Sequence, residues 1–148
     1  QIVRARALHP IDTTFELVDV IKKALPAKVL NKKGHPAKQT FQALRIAVNG
    51  ELESLETGLR AAMSLVKPGG RIAVITFHSL EDRIVKETFR QASSVEKMDP
   101  RIPLLPSQIQ QPDFRLVSRK PILPGEEELA ENNRSHSAKL RVLERIGD

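Results

Sequence analysis

The chain has 148 residues, of which 40% are hydrophobic, so it is long enough to bury the core of one globular domain. Its net charge of +6 and its sequence pI of about 9.9 favour a polyanionic partner such as RNA, DNA or an acidic membrane. The absence of cysteine excludes disulfides and thiolate metal sites, and no apolar run or signal pattern indicates a membrane span, so we predict a cytoplasmic protein without a membrane partner.

The first predicted element is a short amphipathic helix in "DTTFELVDVIKKALP". Thr13 and Glu16 have the spacing of a capping box, and the helix is expected to end before Pro26. The connector that follows, "AKVLNKKGHPAK", is rich in lysine. This charge run is interpreted either as a solvated loop or as a loop that contacts phosphates.

A second, longer helix is predicted from Pro36 to about residue 66, with a bend or break near Gly50. One face of its first half carries two cations and two amides rather than the usual lysines and glutamates. These side chains offer donors to phosphates or base edges, although a solvated face is the alternative. The row consists of Lys38, Gln42, Arg45 and Asn49.

The segment "KPGGRIAVITFHSLEDRIVKETFRQ" predicts a strand followed at once by a helix. The run "RIAVITF" is apolar on both faces, which favours a buried parallel strand over a half-exposed antiparallel one. Ser79 and Asp82 have capping-box spacing, so the helix is expected to begin there. We interpret this segment as a strand–helix unit of an α/β protein.

The rest of the chain predicts a loop and two more strands. Residues 92–113 contain several prolines and show no period, which is typical of a loop. "FRLVS" and "AKLRVLERI" are predicted strands, joined by a connection that includes a short acidic helix after Pro124. Three strands are too few for a complete doubly wound sheet.

The carboxyl edge of the predicted sheet is where a ligand is expected. His78 lies there directly after the strand, and it is either a helix-flanking residue bonded to backbone or a group that orients substrate or handles protons. If the last strand returns antiparallel, Arg134, Ser135 and Ser137 start from the same edge. The four histidines lack the close pairing of a metal-binding helix, so no metal ligand is predicted.

Three motifs in order, "HPAKQTFQALRIAVNGEL", "LVKPGGRIAVITFHSLEDRIVK" and "RKPILPGEEELAENNRSHSAKLRVLER", resemble the carboxy-terminal half of the bacterial ribosomal RNA small subunit methyltransferase H family. The resemblance covers nearly the whole chain and implies an α/β fold, the carboxy-terminal part of a Rossmann-like methyltransferase. It implies that residues 1–33 are the end of an inserted helical domain that recognises substrate. Residues 34–148 would be the carboxy-terminal half of the methyltransferase domain.

The resemblance also implies an activity, which is transfer of a methyl group from S-adenosylmethionine to the exocyclic N4 of a decoding-region cytidine in 16S rRNA. His78 would orient the substrate as the catalytic residue. The residues expected to bind small-subunit rRNA are Lys38, Gln42, Arg45, Asn49, Arg134, Ser135 and Ser137.

The chain departs from the family pattern at the cofactor site. Its seven glycines form no glycine-rich loop after a first strand, so no cofactor-binding residue is assigned to it. Because it also begins at Gln1, we expect a missing amino-terminal half, or a second copy, to complete the sheet, and we expect the chain alone to be inactive. The alternatives are a non-catalytic RNA-binding module and an inactive structural fragment that pairs through its sheet edge.

Overall fold

The structure is a computed structural model that describes residues 1–31, 33–95 and 111–147, and it divides into two compact units, Gln1–Gly50 and Glu51–Asp148. Most of the predicted loop 92–113, and Lys32 of the basic connector, lie outside the described residues. The predicted domain boundary after residue 33 stays a prediction. In the part of the chain that the structure describes, every helix is too short or too polar to cross a membrane.

The amino-terminal unit is helical. The predicted capping box is confirmed, because the backbone N–H of Glu16 donates to Thr13 Oγ1 and the Glu16 carboxylate accepts from the N–H of Thr13 and of Asp12. The bonds from Thr13 and Asp12 lower the pKa of Glu16. Ile21 and Ala37 are buried in this unit. Its helices are α1 (Ile2–Leu8), α2 (Thr14–Ala24), α3 (Ala27–Leu30) and α4 (Lys38–Asn49).

The predicted break near Gly50 is confirmed. Gly50 ends α4 in the left-handed conformation, with φ of +59°, and α5 (Glu51–Leu65) begins at the next residue. A glycine adopts this conformation without the steric cost that a Cβ atom brings. Val48 on α4 is 83% exposed.

The carboxyl-terminal unit contains a three-stranded antiparallel sheet in the order β1-β3-β2 among the described residues. The predicted strands and the acidic helix after Pro124 are confirmed, although β2 is short. Thr76 pairs with Lys139 at one end of β1. After α5, the elements are β1 (Arg71–Thr76), α6 (Ser79–Ala92), β2 (Phe114–Leu116), α7 (Glu126–Glu131), a 3₁₀ helix (Asn133–Ser137) and β3 (Lys139–Arg145).

The prediction that the first strand is parallel and buried on both faces is wrong for this chain. β1 pairs antiparallel with β3, and exposed residues alternate with less exposed ones along it. The side chains of Ile72 and Val74 pack against the core, whereas Ile75 on the opposite face is 58% exposed. The described helices therefore cover one face of the strand, so its apolar sequence does not by itself imply burial on both faces.

The core of this unit lies where α5 and α6 pack against the sheet. Leu59, Val85, Phe89 and Leu143 are buried together, one from α5, two from α6 and one from β3. Burial of a large aromatic or aliphatic side chain contributes about 1.5–3 kcal/mol. This packing holds α6 against the sheet and thereby positions its first turn.

Candidate functional site

The candidate site in the carboxyl-terminal unit lies at the end of β1. The last strand, β3, runs antiparallel to β1. Thr76 pairs with Lys139, and the Thr76 hydroxyl donates to the Lys139 carbonyl oxygen at 3.4 Å. His78 follows β1 by two residues, and the 3₁₀ helix Asn133–Ser137 precedes β3. The residues that follow β1, from His78, and the 3₁₀ helix Asn133–Ser137 therefore lie at the same end of the two strands. We call these two segments the strand-end site.

His78 is the N-cap of α6. The Glu81 N–H donates to His78 Nδ1 at 3.4 Å, and the Glu81 carboxylate accepts from the N–H of Phe77 at 2.9 Å and of His78 at 3.2 Å. The capping box is thus formed by His78 and Glu81, and the predicted pairing of Ser79 with Asp82 is wrong by one residue. The helix-flanking interpretation of His78 is confirmed, and it does not exclude a second role.

The cap assigns the tautomer of His78. Since Nδ1 accepts a hydrogen bond, Nε2 carries the proton of the neutral imidazole and acts as a donor. Nε2 is buried and has no hydrogen-bond partner among the described residues, although Oε1 of Glu81 lies 3.2 Å away in a geometry that is not a hydrogen bond. The neutral imidazole therefore has its acceptor in the helix cap and its donor at a buried Nε2.

Glu51 joins His78 and Glu81 in a small cluster. Single ligand atoms from the three side chains lie within 4.8 Å of one another. Two carboxylates and an imidazole are suitable ligands for a divalent cation. We assign no metal to the cluster.

Asp82 connects the first turn of α6 to β3 through ion pairs. Its carboxylate accepts hydrogen bonds from Arg141 Nε at 2.8 Å and Nη2 at 3.2 Å, and from Lys139 Nζ at 3.3 Å. The bond from Arg141 lowers the pKa of Asp82, against the opposing effect of burial. Because this carboxylate is engaged by β3, it does not reach back to cap the helix, which explains the shifted capping box.

The predicted RNA-binding residues of the 3₁₀ helix differ in exposure. Asn132 accepts a hydrogen bond from the Arg134 N–H through its side-chain oxygen and from the Ser135 hydroxyl through its carbonyl. Ser135 is only 2% exposed, whereas Arg134 and Ser137 are exposed. Ser135 thus holds the turn that presents its neighbours, and its hydroxyl is already committed.

The predicted row on α4 belongs to the amino-terminal unit, so it is described apart from the strand-end site. Lys38, Arg45 and Asn49 are exposed and Gln42 is half-buried. Residues three or four positions apart share a helix face, so the row forms one polar strip along α4, as its spacing predicted. The helix presents three of these four side chains to solvent.

An apolar pocket that the sequence did not indicate lies beside the strand-end site. It encloses about 200 Å³ on the sheet face opposite α6. Phe77 and Leu123 are 56% and 63% exposed at its margin. In the sequence, the pair of apolar residues between Pro121 and Pro124 is the one feature that could have indicated this pocket, and such a pair is a weak signal. The pocket is lined by Ile75, Phe77, Ile122, Leu123, Pro124, Glu128, Asn132, Ser135, Ala138 and Leu140.

The junction between β1 and α6 does not fit S-adenosylmethionine. A cofactor loop of a Rossmann-like fold uses glycines to bring backbone N–H groups close to its ligand. Here Phe77 and His78 occupy the junction, and their N–H groups donate to Glu81. Gly69 and Gly70 lie at the other end of β1, where the Gly69 N–H donates to the Arg145 carbonyl at 2.8 Å.

Comparison with known proteins bears out the resemblance carried by the three motifs. The sequence model described as the MraW methylase family matches residues 1–146. Two curated proteins, each named ribosomal RNA small subunit methyltransferase H, are similar to the chain. The relative from Limosilactobacillus fermentum is 54% identical over 145 residues, which are 98% of this chain and 46% of that protein.

The second relative, from Streptococcus dysgalactiae subsp. equisimilis, is 57% identical over 146 residues, which are 99% of this chain and 46% of the relative. The chain therefore spans about half the length of the curated relatives that it matches.

Proposed function

The chain belongs to the MraW methylase family, and on that premise we propose that the full-length protein transfers a methyl group from S-adenosylmethionine to small-subunit rRNA in the cytoplasm. The proposed acceptor is the exocyclic N4 of a decoding-region cytidine in 16S rRNA. The observation that carries the proposal is the similarity of nearly the whole chain to two relatives with that rRNA methyltransferase name.

A cytosine amine needs an oriented site, because its lone pair is delocalised into the ring and it is a weak nucleophile. An enzyme meets this need by holding the base in one geometry and by providing acceptors for the amine protons. In our proposal His78 orients the nucleotide. The proton that leaves the amine is not assigned to His78, because the cap already uses Nδ1 as an acceptor.

The remaining predicted residues are proposed to hold RNA. Arg134 and Ser137 are exposed at the strand-end site and would contact the RNA backbone, while Ser135 supports their turn. The row on α4 would position the RNA, with residues 1–33 acting as the end of the inserted recognition domain. The members of the row are Lys38, Gln42, Arg45 and Asn49.

The sheet edge at β1 supports the proposal that further chain completes the fold. Among the described residues β1 pairs with β3 alone, so its other edge carries no strand. Ile75 and Phe77 are more than half exposed beside that edge. An unpaired apolar edge strand is a template for another strand. We propose that the part of the full-length protein outside this chain pairs there and supplies the cofactor site, and that the chain alone is inactive.

A second copy of the chain is the alternative occupant of that edge. The intact mass of the native protein separates the two possibilities when compared with the 16.5 kDa of this chain. A heavier single polypeptide is expected. A native polypeptide of this size that dimerises with concentration would contradict our proposal and favour the second copy.

The activity is tested with the full-length protein, S-adenosylmethionine carrying an isotopically labelled methyl group, and small ribosomal subunits from cells that lack the corresponding gene. We expect label in N4-methylated cytidine after digestion of the rRNA and mass spectrometry of the nucleosides. Heat-inactivated protein and naked rRNA serve as controls. Label in another nucleoside, or none in the presence of cofactor binding, would contradict the proposed acceptor.

A non-catalytic RNA-binding module is the second candidate, favoured by the misfit of the β1–α6 junction to the cofactor. Titration calorimetry of the full-length protein with S-adenosylmethionine discriminates the two candidates. Binding supports the methyltransferase. RNA binding with strong salt dependence and no cofactor binding supports the module.

A further inference from the structure

A groove lined by cations lies on α6 away from its capped end. It encloses about 300 Å³ between the second half of α6, the strand β2 and the residues that follow β2. We call it the basic groove. It is lined by Lys86, Phe89, Arg90, Leu116, Ser118, Arg119 and Arg141.

The charge around the basic groove is not balanced. Among the lining residues that the structure describes, four are cationic and none is acidic. Arg141 is compensated by Asp82, whose Oδ2 also accepts a hydrogen bond from Lys139 Nζ. The other three cations, Lys86, Arg90 and Arg119, are exposed, and their side chains form no salt bridge with any residue that the structure describes.

The geometry of the groove favours a ligand with repeated anionic groups. Lys86 and Arg90 are four residues apart on α6, so they share one face with Cβ atoms about 5–6 Å apart. Arg119 approaches the same groove from the segment after β2. Three exposed cations along one groove can contact successive charges of a polymer.

The floor of the groove indicates which part of a polyanion is recognised. Leu116 is half-buried and Phe89 is completely buried, so the one aromatic residue among the described lining residues offers no exposed face for a base to stack on. Base recognition on single strands depends on such faces. The apolar floor also lowers the local dielectric constant and strengthens the attraction between the cations and an anion.

We propose that the basic groove is a binding surface for the phosphate backbone of RNA, separate from the strand-end site. The proposal rests on the proposed function for the identity of the polyanion as RNA. The groove recognises phosphates without regard to sequence, because its lining offers charge and no exposed aromatic face. It therefore holds the RNA flank while the strand-end site addresses the target nucleotide.

The test is the affinity of the full-length protein for a short single-stranded RNA of mixed sequence, measured by fluorescence anisotropy over a series of salt concentrations. The test variant combines Lys86→Gln, Arg90→Gln and Arg119→Gln. The matched control removes the same charge from exposed cations elsewhere in the carboxyl-terminal unit, by Arg60→Gln, Lys67→Gln and Arg71→Gln. A third variant, Lys86→Arg, Arg90→Lys and Arg119→Lys, keeps the charge of the groove. Circular dichroism checks that all variants are folded.

The groove variant is expected to lose affinity on the order of 10²-fold near 0.1 M salt, and the slope of log affinity against log salt is expected to fall by about 2, since each single-strand phosphate contact contributes about 0.7. The charge-keeping variant retains affinity, because phosphate is recognised by charge. The control loses much less than the groove variant.

Two outcomes would overturn the assignment of the groove while leaving the proposed function intact. One is equal loss of affinity in the groove variant and the charge-matched control. The other is unchanged RNA affinity in the groove variant together with lost binding of a polyglutamate peptide, which would identify an acidic protein as the partner. Failure of the unaltered protein to bind any RNA would overturn both the groove assignment and the proposed function.

Discussion

Arg141 on β3 donates two hydrogen bonds to Asp82 on α6, from Nε at 2.8 Å and from Nη2 at 3.2 Å, across 59 residues of sequence. The side chains are 11% and 13% exposed, so the pair is largely removed from water. It connects the turn that His78 caps to the strand that follows Ser137. The two segments of the strand-end site are thereby joined through one ion pair.

The substitution Asp82→Asn is expected to destabilise the protein. It removes the charge that compensates Arg141 and leaves a largely buried guanidinium without its carboxylate, which costs about 1–3 kcal/mol. Urea unfolding at neutral pH measures the change. Asp19→Asn on the exposed side of α2 is the control and should change stability by less than about 0.5 kcal/mol. Equal effects of the two substitutions would show that the ion pair does not contribute.

The same ion pair predicts an acid dependence of stability. Arg141 lowers the pKa of folded Asp82 below the ordinary value of 3.8, so the unfolded chain binds its proton at a higher pH than the folded chain. The stabilisation is therefore complete above that value and is lost as pH falls through the lower folded pKa. Below about pH 4 the unaltered protein should lose stability more steeply than Asp82→Asn. Parallel pH profiles of the two proteins would contradict this assignment.

Gly50 and Gly58 are expected to respond oppositely to substitution by alanine. Gly50 has φ of +59°, so Gly50→Ala should cost about 1–2 kcal/mol even though a Cβ there meets no atom within 4 Å. Gly58 lies inside α5 with equally open space, so Gly58→Ala should stabilise by about 0.5–1 kcal/mol. Thermal unfolding of both variants measures the contrast. Changes of the same sign would contradict the left-handed end of α4.

Substitutions at His78 separate its capping role from its role toward substrate. Asparagine is a good N-cap, so His78→Asn should keep stability within about 0.5 kcal/mol, whereas His78→Ala should lose about 1 kcal/mol. If His78 orients the nucleotide, both variants lower kcat of methylation by about 10²-fold. Stability and initial rates are measured on the full-length protein.

The control for His78 is the equivalent cap of α2. Thr13→Ala removes a capping box of the same type in the other unit, so it should lower stability by about 1 kcal/mol and leave the methylation rate unchanged. If His78→Asn retains full activity, His78 acts as a cap alone.

Arg45→Ala tests the row on α4. Loss of one phosphate or base-edge donor should raise KM for the small subunit about fivefold, with kcat and thermal stability nearly unchanged. Arg60→Ala on α5 is the matched control, because Arg60 is exposed and its ion pair with Glu56 is long at 3.8 Å. Equal kinetics of the two variants would remove Arg45 from the RNA-binding residues.

Local sequence patterns were sufficient to predict several elements of secondary structure. The Thr13 capping box, the break at Gly50 and the strand that begins at Arg71 each depend on residues close in sequence. Backbone conformation and hydrogen bonding within a turn or helix are set by such neighbours. The family was also accessible from sequence, since its motifs are long and occur in order.

Pairing between distant segments was decided only by the tertiary structure. The run that begins at Arg71 is compatible with either strand direction, and the return of β3 beside it made the pairing antiparallel. Asp82 has the spacing of a capping residue, but its carboxylate binds Arg141 on β3. The capping box is therefore formed by His78 and Glu81.

The basic groove could not be predicted from local sequence patterns either. Its cations come from α6, from β3 and from the segment after β2, and no local period relates them. The sequence by itself therefore determined the helices, the strands, the positive charge and the family. The tertiary structure decided which charges are neutralised and which converge, because electrostatic interactions depend on distances between residues that are far apart along the chain.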